Sequence, residues 1–378
     1  MPVEKSQQID KDIEEVTLVV DVGDVEPLEP KSLADAKRRP DWPNWERGIR
    51  EELKTLEDSG TWELTDAPPG ANVVGSKWVF RLKRDAAGHI VRYKARLVAQ
   101  GFSQVEGVDY FDTYAPVAKL ASLCTILALA ARLDLELHQV DIKGAYLNGV
   151  LTDDEVIYMR QPPGYPYPNS SGKVLRLRKT IYGLKQSGRR WYQKLTKICT
   201  EALGFQRCNV DQAVFYRRDD ESIAIMAVHV DDCTIAAYPR ELVDEVKKKL
   251  GTRVEVTDLG ELHWLLGIEV SRDRDVRTLR LSQHAYIEDI LRRFNFGDLK
   301  PISTPMDPQL VLSTSQSPTT PEQSAIMQNI PFREAIGSLM YASLGTRPDI
   351  TFAVARLSKF LQNPGLAHWE AAKRVFVT

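Results

Sequence analysis

Two adjacent aspartates, Asp231 and Asp232, interrupt an otherwise apolar, β-prone stretch from Ile223 to Tyr238, IAIMAVHVDDCTIAAY. Carboxylates side by side repel one another and raise each other's pKa unless a cation neutralises them, and hard divalent cations favour such oxygen ligands. Alone, the pair reads more readily as a solvated turn, where Asp is common. A third acid changes the balance. Asp141 ends the apolar-alternating stretch LELHQVDIK, and Gly144 and Ala145 after it are small enough to leave room for a ligand. A surface Asp is the plain alternative. If the three converge, they form a candidate two-metal site.

The surrounding pattern must bring them together. The apolar arms on either side of Asp231 and Asp232 read as strands of a buried hairpin with the acids at its tip. Asp141 lies 90 residues before Asp231, so only folding joins them, as neighbouring strand ends of one sheet would. A helix is read over Leu120 to Leu133, ahead of the Asp141 strand. Trp42, Trp45, Ile49, Leu53 and Leu56 recur at helical spacing and predict a helix through Glu57, closed by Asp58-Ser59-Gly60.

Lys77 to Leu97 reads as two strands joined by a turn at Ala86 to His89. Lys77, Arg81 and Lys83 then share one face, and Trp78, Phe80 and Leu82 the other. Such a basic face can grip phosphates while its reverse packs. Lys185, Gln186, Arg189 and Arg190 stand at the start of a helix marked by Trp191, Leu195 and Ile198, where backbone amides also favour phosphates. Further on, a short strand is read over Val156 to Met159, a helix over Glu241 to Leu250, strands over Leu262 to Glu269 and Thr278 to Leu281, and a helix over His284 to Phe294. Helical pieces close the chain, the last from Leu366 to Phe376.

At 378 residues, 43% apolar and 27% charged, the chain has the composition of an ordinary globular protein. No stretch resembles a membrane-spanning helix and the first residues lack a signal-peptide pattern, which predicts an intracellular protein without a membrane partner. Cys124, Cys199, Cys208 and Cys233 are scattered, with no CxxC, so neither a disulfide framework nor a zinc finger is indicated. The formal net charge of −2 hides segregation: residues 1–30 carry nine acids and two bases, residues 76–104 seven bases and one acid, and residues 171–210 ten bases and one acid. The basic windows suit a polyanionic partner; a solvated cationic surface is their alternative. Composition marks an acidic tail to about Lys31 and, late in the chain, a Ser-, Thr- and Pro-rich linker.

Seven blocks stand in one order: GSKWVFRLKRD, RYKARLVAQGFSQVEGVDYFDTYAPVAK, QVDIKGAYLNG, IYGLKQSGRRWY, VHVDD, DLGELHWLLGIEV and the run from PFREAIGSLMYASLG to AAKRV. Together they resemble the reverse transcriptase of copia-type LTR retrotransposons, from about Pro40 to the last residue. With the start near Pro40 that this resemblance implies, the chain divides into a tail over 1–39, a main body over 40–300, the linker over 301–324 and a last segment over 325–378. The resemblance implies an α+β right-hand polymerase with fingers, a ferredoxin-like antiparallel palm sheet and a thumb, followed by a connection segment leading towards an RNase H domain. It implies an RNA- and DNA-directed DNA polymerase in which Asp141 and Asp231 hold two Mg2+ or Mn2+ ions and Asp232 completes the catalytic acids.

The same likeness assigns Tyr146 to the incoming sugar, where a ring can clash with a 2′-hydroxyl. Gln186, Lys83, Lys94 and Arg96 fall to the deoxynucleoside triphosphate, and Leu266 and Gly267, with Trp264 nearby, to the turn that grips the primer. The implied partners are an RNA template, a DNA primer/template duplex and the integrase and RNase H parts of a parent polyprotein, in a cytoplasmic virus-like particle with access to the nucleus. Two departures stand out: His229 where the family has an aromatic Tyr more often, and Ser187-Gly188 where Ala-Pro is usual, which would loosen the helix start. Two rivals remain. A catalytically silent nucleic-acid-binding relic would share the core, and a metal-dependent nuclease would share the acids without a use for the Tyr146 and Gln186 blocks.

Overall fold

The structure, a computed structural model, describes residues 29–84, 89–297 and 299–378. Most of the acidic tail and of the turn read at Ala86 to His89 lies outside the described residues. Contacts divide the chain between Leu262 and His263 into two compact units.

In the first unit, helix α1 (Trp42–Asp58) has Pro43 in its first turn, where a missing N–H costs nothing, and Gly60 after it adopts φ +61°. It buries Trp45, Ile49 and Leu56 against the hairpin β1 (Ser76–Arg84) and β2 (Ile90–Ala99). Trp45 meets Phe80 and Tyr93 edge-on, with centroids 5.2 and 4.8 Å away. Gly48 permits this approach, since a Cβ there would stand 2.8 Å from the Tyr93 carbonyl oxygen. The alternation read from the sequence holds. Trp78 and Phe80 are buried, Lys77, Arg81 and Lys83 are exposed, and the register pairs Arg81 with Lys94 and Lys83 with Arg92 on the basic face.

Helix α2 (Leu120–Leu133) leads into β3 (Glu136–Ile142). Then come α3 (Ser187–Lys197), β4 (Val214–Arg218), β5 (Ile223–His229), β6 (Asp232–Tyr238), α4 (Arg240–Gly251) and β7 (Val256–Glu261). The sheet runs β7-β3-β6-β5-β4, all antiparallel, with Gln206–Arg207 at its edge. Leaving out the edge strands, β3-α3-β5-β6-α4-β7 is a ferredoxin-like βαββαβ unit, as the resemblance implied. Trp191 and Leu195 of α3 and Val243, Val246 and Leu250 of α4 pack on Val140, Cys233, Ile235 and Met226. A fully buried Leu, Ile or Val stabilises by roughly 1.5–3 kcal/mol, so this core outweighs repulsion among acids at its margin.

The second unit holds a three-stranded sheet, Trp264–Leu265, Ile268–Asp273 and Thr278–Ser282, and helices that bury Phe332, Ile336, Leu339, Leu357 and Phe376. The single strand read over Leu262 to Glu269 is corrected here. The chain reverses at Leu266 and Gly267, both with positive φ (51° and 78°), the pair of angles a two-residue type I′ hairpin turn requires. The strand read over Val156 to Met159 is shorter, Tyr158–Met159. The Ser-, Thr- and Pro-rich segment does not separate packed bodies. Leu312 is buried in the second core and Met306 and Leu310 pack against it, because scattered apolar residues anchor a stretch whose composition is otherwise that of a linker. Among the described residues no helix is long and apolar enough to cross a membrane.

Candidate active site

The acids meet at one end of the ferredoxin-like sheet. Asp232 is the first residue of β6 and lies in register with Asp141 on β3 and with His229 on β5. Only Val230 and Asp231 form the hairpin loop, so Asp232 is a strand residue rather than part of the tip. Strand alternation puts Asp141, Asp232, His229 and Gln139 on the face opposite the helices. Asp231 joins them through its backbone, its carbonyl accepting from Ile142 N–H at 2.9 Å.

The loop itself is under tension. Val230 has φ +63°, an outlier for a β-branched residue. The Trp191 indole donates to its carbonyl oxygen at 2.6 Å, fastening the loop to α3. The Gln139 amide donates to Asp232 Oδ1 at 3.3 Å.

Burial, and then the neighbouring Asp231 charge, hold the Asp141 carboxyl above its ordinary range, while Lys94, Lys83 and Lys143 pull the other way. Asp232 is raised for the same reasons, burial first, then Asp231 and Asp141. The basic hairpin face is therefore close enough to act on Asp141. Lys94 is half-buried and its pKa is lowered, by burial first and then by Arg96, with Glu52 opposing. In kind the donors suit a hard divalent cation, because crowded, partly desolvated carboxylates with raised pKa are what such a charge relieves. Among the described residues, no three His, Cys, Asp or Glu side chains are close enough together to hold a metal ion.

Tyr146 follows Gly144 (φ +57°) on a 3-10 turn, Ala145–Asn148, and packs against the sheet core. Burial and Asp231 raise its phenol pKa, which puts the ring in the field of the acids. Arg96 lies over the ring of Tyr182, with its Cζ 4.8 Å from the centroid, and its Nε is buried without a hydrogen-bond partner. Gln186 is fully buried; its amide donates to the Asp109 carbonyl at 2.8 Å and accepts from Gln104 at 3.1 Å. Helix α3 begins at Ser187 despite the Ser-Gly pair, and the Ser187 hydroxyl donates to the Ile181 carbonyl. Leu266 and Gly267 belong to the second unit, where the Tyr341 hydroxyl donates to the Leu266 carbonyl; Trp264 is 51% exposed.

Sequence reasoning passed over Gln139, although period two from Asp141 pointed to it. It also missed Trp191 as a support of the loop and Asp211, which accepts from Lys119 N–H and the Ser122 hydroxyl at the start of α2. No short-range pattern aims an indole at one carbonyl, or an aspartate at a helix 90 residues away.

A ferredoxin-like sheet with acids at one end and a cationic hairpin whose lysines act on them defines an α+β protein. Residues 59–308 match the family model described as reverse transcriptase (RNA-dependent DNA polymerase), and the chain belongs to that family. It is 41% identical over 91% of its length to the retrovirus-related Pol polyprotein from transposon TNT 1-94 of Nicotiana tabacum, and 38% identical over 88% to that from transposon RE1 of Arabidopsis thaliana. A putative transposon Ty5-1 protein of Saccharomyces cerevisiae is 29% identical over 62% of this chain and 73% of its own. The resemblance to a copia-type retrotransposon reverse transcriptase domain is thus borne out. The chain spans 26% and 22% of the lengths of the two plant polyproteins. Among solved structures, a foamy viral protease-reverse transcriptase in complex with dsDNA aligns over 88% of this chain and 56% of that one, at 13% identity and a TM-score of 0.44.

Proposed function

We propose that this domain extends a primer with deoxynucleoside triphosphates, copying RNA and DNA templates. The observation that carries the reading is the register of Asp141 with Asp232 beside Asp231, under the influence of Lys94 and Lys83. Asp141 and Asp231 would hold two Mg2+ or Mn2+ ions, with Asp232 completing the acids. When bound, such ions make a primer 3′-hydroxyl nucleophilic and stabilise the leaving pyrophosphate.

The chain's own groups do the rest. Lys94, crowded by cations and partly desolvated, gains most from an anion and is suited to the triphosphate, with Lys83 and Arg96 on the same hairpin face. The Tyr146 ring, in the field of Asp231, would close the space beside the sugar against a 2′-hydroxyl. Gln186, with its amide committed to Gln104 and Asp109, would brace the wall of the nucleotide pocket from within. Leu266 and Gly267 would grip the primer strand. Template RNA, primer duplex and the integrase and RNase H parts of a Pol polyprotein are the partners of this reading.

Extension of oligo(dT) on poly(rA) by the purified chain, with Mg2+ or Mn2+, tests it. Incorporation of dTTP is expected, with Asp231→Asn abolishing it while template binding stays nearly intact. A folded chain that binds template and incorporates nothing with either ion is the silent relic, and cleavage of template without extension is the nuclease.

A further inference from the structure

Tyr182 lies between two groups already assigned to the nucleotide. Its ring meets Tyr146 edge-on, with centroids 5.3 Å apart and planes at 72°. The Arg96 guanidinium lies over the same ring. Tyr182 therefore touches the residue placed at the sugar and a residue placed at the triphosphate.

Its backbone has little freedom. The Tyr182 carbonyl accepts from Ala99 N–H of β2 at 2.8 Å. The next residue, Gly183, has φ +91°, and a Cβ there would stand 2.2 Å from the Ala99 carbonyl oxygen, so the segment is locked to the hairpin. Tyr146 is secured in a similar way: its carbonyl accepts from the Thr180 hydroxyl and from Gly149 N–H. With both main chains fixed, the orientation of the Tyr146 ring depends on what borders it, and the sheet core and Tyr182 are among those borders.

We propose that Tyr182 is a positioning residue for sugar selection, holding the Tyr146 ring where it refuses a 2′-hydroxyl and tying that position to Arg96 on the hairpin. The proposal rests on the polymerase reading above. An aromatic ring is required because the edge-on contact with Tyr146 and the guanidinium over the Tyr182 ring both depend on a π-system at this position. The Tyr182 hydroxyl has no part in either contact, so phenylalanine serves as well.

The test is single-nucleotide incorporation of dATP and ATP opposite template uracil, read as the ratio of the two kcat/KM values. Tyr182→Phe is expected to keep the wild-type ratio. Tyr182→Leu is expected to lower it about tenfold, chiefly through better use of ATP, the scale on which one aromatic contact can alter discrimination. In a Tyr146→Val background, where the ring is already gone, Tyr182→Leu should change the ratio no further. Tyr182→Met replaces the Leu variant if that one loses its cooperative melt. A wild-type ratio in the Leu or Met variant overturns the proposal alone, and so does an undiminished effect in the Tyr146→Val background. A wild-type chain that incorporates neither nucleotide overturns the polymerase reading with it.

Discussion

Asp141 and Asp232 face each other across two hydrogen-bonded strands, with Asp231 beside both. Burial and then Asp231 hold the Asp141 carboxyl above the ordinary range, and burial, Asp231 and Asp141 do the same for Asp232. A carboxyl whose folded pKa is raised binds more protons folded than unfolded, so the fold loses stability as pH rises from the ordinary carboxylate value through the raised one. That loss persists at pH 7 in the absence of cations. Asp232→Asn removes one charge that burial, Asp231 and Asp141 all disfavour. In EDTA at pH 7 the variant should therefore melt about 1–3 °C higher than wild type, the scale for a fraction of a kcal/mol in a unit of this size. The gain should fade below the carboxylate range, where wild type is protonated too. Mg2+ should raise the wild-type melting temperature more than the variant's. Equal melting in EDTA at pH 7, followed by calorimetry, would mean that the acids do not repel across the strands.

At the scale of elements, the sequence disclosed the hairpin, the Asp141 strand and the two-faced basic ribbon, because each rests on a period that side-chain type reveals. Two features stayed hidden. The place of Asp232 in β6 depends on a two-residue loop with positive φ at its first position, where Gly ordinarily stands; Val230 gives no sign of it. Gln186 reads as a polar residue free for a ligand, yet its partners Gln104 and Asp109 come from a loop some 80 residues earlier and bury it. Long-range contacts override local type in both cases. The strained loop is held by the Trp191 indole on Val230, so Trp191→Phe keeps a ring in the core and removes one buried donor. The expected cost is about 1 kcal/mol of stability, as for a typical lost hydrogen bond, with slower primer extension. Urea unfolding checks the first part; an unshifted midpoint would mean that the loop holds without the indole.

For the whole molecule, composition and packing disagree about where the chain divides. Pro- and hydroxyl-rich stretches read as linkers because they bury little, and 301–324 has that composition apart from a few apolar residues such as Leu310, Val311 and Leu312. Yet Leu312 lies in the same core as Phe332, Leu357 and Phe376, and the contact boundary falls at Leu262. One leucine can anchor such a stretch, since burying it is worth a few kcal/mol against the modest entropy of ordering a few residues on either side. Leu312→Ala should accordingly destabilise the unit from His263 to Thr378 by about 2–3 kcal/mol, as large-to-small core changes do. The unit up to Leu262 should be little affected, its two cores being built from its own residues. Hydrogen exchange read by mass spectrometry separates the two. Peptides from Phe332–Gly345 should lose protection in the variant while those from Ile223–His229 keep it. Unchanged exchange in both would mean that 301–324 behaves as the linker its composition describes, with Leu312 resting on the core without holding it.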